Sequence, residues 1–226
     1  MNPGTRSLAA ATILSLALAG QMFGGLVNGG FESPVVPLGG NGYPTTIPGW
    51  KTTDSAFEIW SSGFLGVTSY EGVQFAELNA FNAGTLYQDV AGIAAGVRVG
   101  FQFAHRGRAG VDTMTFTLTD LGSDNLAGGA GGAADTVLFT KNYSDGTAAW
   151  GFYTAASEAP ILALGNTVRF SYQATFAAGG ISVGNFLDAA DFGAGVGGVP
   201  APDGGTTLGL IGSALLVIAA RRRFLR

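Results

Sequence analysis

Cysteine is absent from the 226 residues, and histidine occurs once, as His105. The first absence removes disulfides, thiolate nucleophiles and cysteine-based metal sites. The second excludes histidine-rich metal sites and weighs against a histidine-dependent catalytic pair. Charge is also scarce: 12% of residues are charged, against roughly 25% in ordinary soluble domains. Helix-forming Glu, Lys and Arg are therefore few, while Gly, Thr, Phe and Val abound, which favours strands and turns. Hydrophobic residues make up 47%, so the chain can bury a core and is not a solvated disordered one.

The location of the few charges is informative. Of the eleven basic residues, Arg6 lies near the start and Arg221, Arg222, Arg223 and Arg226 at the end. The span between holds six basic residues against all fifteen acidic ones, a net charge of −9. So acidic a body repels phosphate backbones and argues against a nucleic-acid partner.

The two ends read as addresses. Residues 1–19 combine Arg6, an apolar run from Leu8 to Leu18, and the small residues Ala17 and Ala19 of an A-x-A cleavage site. This is the pattern of a secretory signal peptide, with signal peptidase cleaving before Gly20. At the other end, residues 206–220 carry no charge and run directly into Arg221, Arg222 and Arg223. As a helix this segment is about 22 Å long, short of the roughly 30 Å hydrocarbon core, so a transmembrane helix there relies on bilayer thinning and Arg snorkelling. The Arg cluster sets its C-terminus in the cytoplasm and the body outside. Residues 193–205 form a Gly/Pro linker that holds Pro202, Asp203, Gly204 and Gly205.

A Pro-acid motif, a short apolar helix and an Arg-rich terminus, in that order, resemble the sorting signals of the PEP-CTERM group. Pro202-Asp203-Gly204-Gly205 is most similar to its Val-Pro-Asp-Ser-Gly variant, with Gly204 in place of the Ser and Ala201-Pro202 inserted after Val199-Pro200. The resemblance implies an exported protein of a Gram-negative bacterium, anchored in the inner membrane through its C-terminal helix until an exosortase processes the tail. Its destination would be the cell surface or the extracellular matrix. A lipid-anchor signal is the rival, but such tails finish apolar and this one finishes in arginine.

Residues 20–192 read as one all-β domain. Val97, Val99, Phe101 and Phe103 alternate with Arg98, Gly100, Gln102 and Ala104. Met114, Phe116 and Leu118 alternate with threonines, and Val168, Phe170, Tyr172 and Ala174 with polar residues. Period-two alternation places each apolar set on one strand face. Shorter strands are expected at residues 57–60, 73–78, 86–90, 137–141, 150–154 and 181–192. Many short strands separated by such turns indicate an antiparallel two-sheet β-sandwich, a jelly roll. Residues 33–48, rich in Pro and Gly, and 126–134, nearly all Gly and Ala, are expected to be loops.

Asn28-Gly29-Gly30-Phe31-Glu32, Ile47-Pro48-Gly49-Trp50, Glu77-Leu78-Asn79, Leu86-Tyr87-Gln88-Asp89-Val90, the Phe103 to Arg108 segment and Gly184-Asn185-Phe186-Leu187-Asp188 follow in order. In order and spacing they resemble galactose-binding-like jelly rolls, the sandwich of many carbohydrate-binding modules. That resemblance implies a structural Ca²⁺ held by Glu32 and Asp188, on the first and last strands. The alternative is that each acid pairs with Arg or caps a turn.

No nucleophile elbow or phosphate-binding loop occurs, so the body is read as a binding domain and not an enzyme. His105, Arg106 and Arg108 form either a polar cluster that grips sugar hydroxyls or a structural corner, with arginine paired to acids such as Glu77 or Asp112. Tyr43 and Trp60 are expected to be exposed platforms for sugar rings, and Trp50 to lie in the core. The expected partner is a polysaccharide or matrix glycan. The alternative is a purely structural envelope or matrix protein with no small ligand.

Overall fold

The computed structural model describes residues 25–127 and 134–194. The expected signal peptide, the expected sorting motif with its arginines and the apolar C-terminal segment lie outside the described residues. Among the described residues no helix is long and apolar enough to cross a membrane.

Eleven strands are described: β1 (Asn41–Gly42), β2 (Lys51–Thr52), β3 (Glu58–Ser61), β4 (Gln74–Glu77), β5 (Thr85–Val90), β6 (Val99–Arg106), β7 (Asp112–Asp120), β8 (Thr136–Asp145), β9 (Gly151–Thr154), β10 (Val168–Phe176) and β11 (Phe186–Ala194). They form two antiparallel sheets, one ordered β1-β3-β4-β11-β6-β9 and the other β2-β5-β10-β7-β8. The chain crosses between the sheets at most connections, so neighbours in space are seldom neighbours in sequence. This is the expected two-sheet sandwich.

The alternation read from the sequence explains the core. On β7, Met114, Phe116 and Leu118 are buried while Thr113, Thr115, Thr117 and Thr119 are half-exposed. Phe103 of β6 meets Phe116, Tyr143 and Tyr172 across the sandwich, with ring centroids 5.0–5.5 Å apart. The five-stranded sheet thus has one wet face and one dry face, as an antiparallel sheet can.

The six-stranded sheet departs from that pattern. All four residues of β3 and of β4 are buried, and β6 buries Gly100 and Ala104 along with Phe101 and Phe103. Gly100 and Ala104 fall on the face opposite Phe101 and Phe103, as the alternation places them. A second apolar cluster, Trp60, Val67, Phe75 and Phe186 with Phe64 and Trp150, lies on the outer side of this sheet. Residues 62–73 form a strap over that cluster, beginning with a short 3-10 turn at Phe64–Gly66.

The motif at residues 28–32 explains how the strap is tied down. Asn28 bridges both sides of Ser33: its Nδ2 donates to the Ser33 carbonyl and its Oδ1 accepts the Ser33 N–H, at 2.7 and 3.1 Å. Phe31 is thereby sent into the core, 4.9 Å from Trp50, which is buried as expected. Glu32 faces the strap. A Cβ on Gly29 would fall 1.7 Å from the Ala190 carbonyl oxygen, so only glycine admits this approach of β11. The last strand also starts later than residue 181: Gly180 and Gly184 hold positive φ and Asn185 stands at φ 56, which keeps residues 181–185 in a turn. Because Phe103 touches so many rings, Phe103→Ala is expected to cost about 3–5 kcal/mol, read from the denaturant midpoint.

Candidate functional site

The outer face of the six-stranded sheet is open at its β1 end. Antiparallel register sets Glu58 of β3 directly opposite Glu77 of β4, and Trp60 opposite Phe75. Two like charges in that position repel, yet both side chains are almost fully buried. What compensates is a ring of donors. Glu58 Oε1 accepts from Asn41 Nδ2 at 2.6 Å, Trp60 Nε1 at 2.9 Å and the Tyr43 hydroxyl at 3.2 Å. Glu77 accepts Arg108 Nη1 on both oxygens, at 2.9 and 3.0 Å, and the Gly184 N–H at 2.7 Å.

Arg108 is itself held. Its backbone N–H donates to Asp112 Oδ2 at 2.8 Å, an oxygen that also accepts from Asn185. Its guanidinium lies 4.6 Å from the Trp60 ring centre. Burial, and then the charge of Glu58, push the Glu77 carboxyl up to about 8, against the pull of the Gly184 N–H and Arg108. Glu77 therefore keeps its proton near neutral pH.

Above this floor is a cleft of about 410 Å³ walled by Tyr43, Phe81 and Leu65, with Asn41, Glu58 and Arg108 among its lining residues. Tyr43 stacks on Phe81 with centroids 5.1 Å apart, and both rings stay open to solvent, 48% and 47% exposed. Burial and the charge of Glu58 raise the Tyr43 hydroxyl above its ordinary value, so it remains a donor. The cleft thus offers an aromatic wall, immobilised polar groups and a fixed cation. Glu58 and Glu77 sit side by side on neighbouring strands with their hydrogen bonds already committed.

Of the residues singled out from sequence, Tyr43 and Arg108 meet at this cleft. The pairing of Arg108 with Glu77 is the expected one. Trp60 does not serve as an exposed platform: it is buried beneath the cleft, because the strap covers the outer face and Phe64 packs on its ring at 4.7 Å. His105 is fully buried, with Nδ1 2.7 Å from Asp145 and Nε2 3.0 Å from Asn185, so it holds a corner and presents nothing to a sugar. Arg106 points elsewhere, donating from Nε and Nη2 to the Thr147 carbonyl. Phe81, Asn41 and Glu58 were not singled out. Phe81 carried a signal, as a large aromatic stranded among Asn, Ala and Gly between two strands.

Glu32 and Asp188 come to the same short segment. Glu32 Oε1 accepts the N–H groups of Val73 and Gln74 at 2.8 and 3.0 Å. Asp188 Oδ2 accepts those of Tyr70 and Glu71 at 2.8 and 3.1 Å, and its Oδ1 that of Ala189. Each acid thus caps a turn, the alternative left open by the sequence. Burial first, and then the charge of Glu71, push the Asp188 carboxyl up to about 8, a balance that a cation would relieve. Among the described residues no group of three or more His, Asp or Glu side chains is arranged around a metal position.

No protein-family model matches the chain, and no curated protein matches it. Among solved structures it is similar to TmCBM61 in complex with β-1,4-galactotriose, at 14% identity and TM-score 0.46, over 77% of this chain and 99% of that one. It is similar also to the C-terminal family 22 carbohydrate-binding module of Clostridium thermocellum Xyn10B, at 14% identity and TM-score 0.46, over 70% and 94%. The CBM22-2 xylan-binding domain of Paenibacillus barcinonensis Xyn10C gives 10% identity and TM-score 0.46, over 67% and 94%. At these values the likeness assigns no ligand.

The raised Glu77 carboxyl sets a pH dependence. The folded state retains a proton that the unfolded chain releases from about 4.5 upward, so this contribution is complete at low pH and is lost as pH rises through about 8. Thermal melts between pH 5 and pH 8 are expected to show stability declining with pH, with Glu77→Gln flattening the slope. Identical slopes would show that Glu77 is not the group that holds the proton.

Proposed function

We propose that this domain binds a glycan, without catalysing its cleavage, in the cleft between Tyr43, Phe81 and Arg108. The observation that supports this is the pairing of a half-exposed aromatic wall with polar groups fixed in advance. Ring faces stack on the apolar faces of sugar rings, while Asn41, Glu58 and Arg108 offer donors and acceptors that lose little freedom on binding. Arg108 is already engaged by Glu77 and the body is acidic, which favours a neutral glycan over an anionic one. A glycosidase of the usual kind needs two carboxyl groups flanking a scissile bond, whereas the Glu58–Glu77 pair is buried on one side of the cleft.

The signal-peptide pattern and the Arg-terminated tail support a second part of the proposal. The domain acts outside the cytoplasm, sorted by an exosortase to the surface or matrix of a Gram-negative cell. We also propose a structural Ca²⁺ at Glu32 and Asp188, where two carboxylates meet one backbone segment and hard oxygen ligands are available.

Binding to a panel of neutral soluble polysaccharides, followed by affinity electrophoresis, tests the glycan reading. Tyr43→Ala and Phe81→Ala are each expected to weaken binding about tenfold or more, equivalent to about 1.4 kcal/mol, and Phe81→Ala, whose ring bonds nothing in the floor, to do so with little change in melting temperature. Retention of full affinity in both variants would remove the cleft from the function. For the metal, chelator is expected to lower the melting temperature by several degrees, since a site at hundredfold excess over Kd contributes about 2.7 kcal/mol. Asp188→Ala should abolish that response. Coincident melts with and without chelator would leave both acids as backbone clamps alone.

A further inference from the structure

Four pairs of rings stack among the described residues, and two of them, Phe31–Trp50 and Phe101–Phe103, are core contacts. The other two face solvent. One is the Tyr43–Phe81 wall; the other is Tyr70 on Phe152, with centroids 5.2 Å apart and planes 5° from parallel. Tyr70 and Phe152 are 42% and 43% exposed, close to the values for the cleft pair.

This second pair is as firmly built as the first. Tyr70 is fixed through its backbone N–H to Asp188. Phe152 lies on β9, opposite Ala104 of β6, on the outer face of the same sheet that carries the cleft. Trp150 backs the pair: its ring meets Tyr70 edge-on at 6.4 Å, and its Nε1 donates to the Thr68 carbonyl at 2.9 Å. Below, buried rings connect the two places. Trp60, under Arg108, is 6.0 Å from Phe75, and Phe75 is 5.5 Å from Trp150.

Between the two aromatic pairs runs the strap, and residues 62–70 contain no charged side chain. Leu65 stands on it, largely exposed, with hydroxyl residues Ser62, Thr68 and Ser69 around it. An uncharged track bounded by two stacked aromatic pairs matches a neutral polymer lying along it, and does not match a charged partner.

We infer that Tyr70 and Phe152 form a second sugar-contact platform, and that the ligand is a neutral polysaccharide chain that runs over the strap from the Tyr43–Phe81 cleft to this platform. The inference rests on the glycan reading above and extends it from a single cleft to a chain-length requirement. Each platform alone holds a short sugar weakly; a chain that reaches both gains because its second contact is intramolecular.

Titration calorimetry of the full chain with β-1,4-linked xylo-, gluco- and galacto-oligosaccharides, from disaccharide to octasaccharide, tests it. In the series that binds, affinity is expected to rise with length. Phe152→Ala should weaken the octasaccharide about tenfold and leave the disaccharide unchanged, and Tyr70→Ala should behave alike. Tyr43→Ala should weaken both lengths. If the octasaccharide binds both platform variants as it binds the parent while Tyr43→Ala still weakens it, the second platform is refuted and the single-cleft reading stands. If no series binds the parent chain, the glycan reading fails and this inference with it. A dimer seen by light scattering that Phe152→Ala returns to monomer would assign the surface to self-association and overturn the proposal.

Discussion

Three backbone N–H groups of the strap, at Tyr70, Glu71 and Val73, and that of Gln74 where β4 begins, donate to the carboxyl groups of Glu32 and Asp188. These bonds hold a loop that has little sheet pairing of its own. The consequence is spatial. With the strap in place, the aromatic cluster around Trp60 is closed over, β3 and β4 are buried on both faces, and the outer face stays accessible only beyond the strap's edges. The cleft and the Tyr70–Phe152 pair are those edges. Gly29 and Gly72 belong to the same arrangement: a Cβ on Gly72 would fall 2.0 Å from Glu32 Oε1, so the approach of carboxylate to loop depends on a bare backbone.

The floor of the cleft is held by electrostatics of a different kind. A buried pair of glutamates costs desolvation and mutual repulsion, and neither Arg108 alone nor hydrogen bonds alone cover both. The structure uses both, with Arg108 also lying over Trp60. Every one of these groups is then immobile, which is what a recognition surface needs if binding is not to lose its gain in ordering side chains. A network so fully committed is sensitive to partial loss, because removing one partner leaves a buried group unsatisfied.

Much of this fold was legible because period-two alternation is a strong signal when one face is wet. It identified β7 and β10 almost residue by residue, and located β3, β4, β5, β8 and β9. Trp60, expected to be exposed near a strand end, is buried because the strap over it is held by Glu32 and Asp188, both distant from it in sequence. The two-residue strands β1 and β2 gave no pattern long enough to read. Residue spacing did foresee that His105 turns inward and that Arg108 pairs with an acid. It could not show that Glu58 and Glu77 face each other, because cross-strand register is a tertiary property. Glu32 and Asp188 were recognised as partners in space through a resemblance, and the structure brings both to one segment, through the backbone of the strap.

The central claim is that the cleft and its rigid floor are where a glycan is received. The Trp60 indole N–H, bonded to Glu58 beneath the cleft, reports on that place directly. Amide and indole proton–nitrogen correlation spectra recorded during titration with a bound neutral oligosaccharide give the measurement. The account predicts shifts at the Trp60 indole, Asn41, Tyr43, Phe81 and Arg108, extending along the strap to Phe152 for a chain long enough to reach it. Shifts on the threonine-rich outer face of the five-stranded sheet, with the Trp60 indole unmoved, would contradict it.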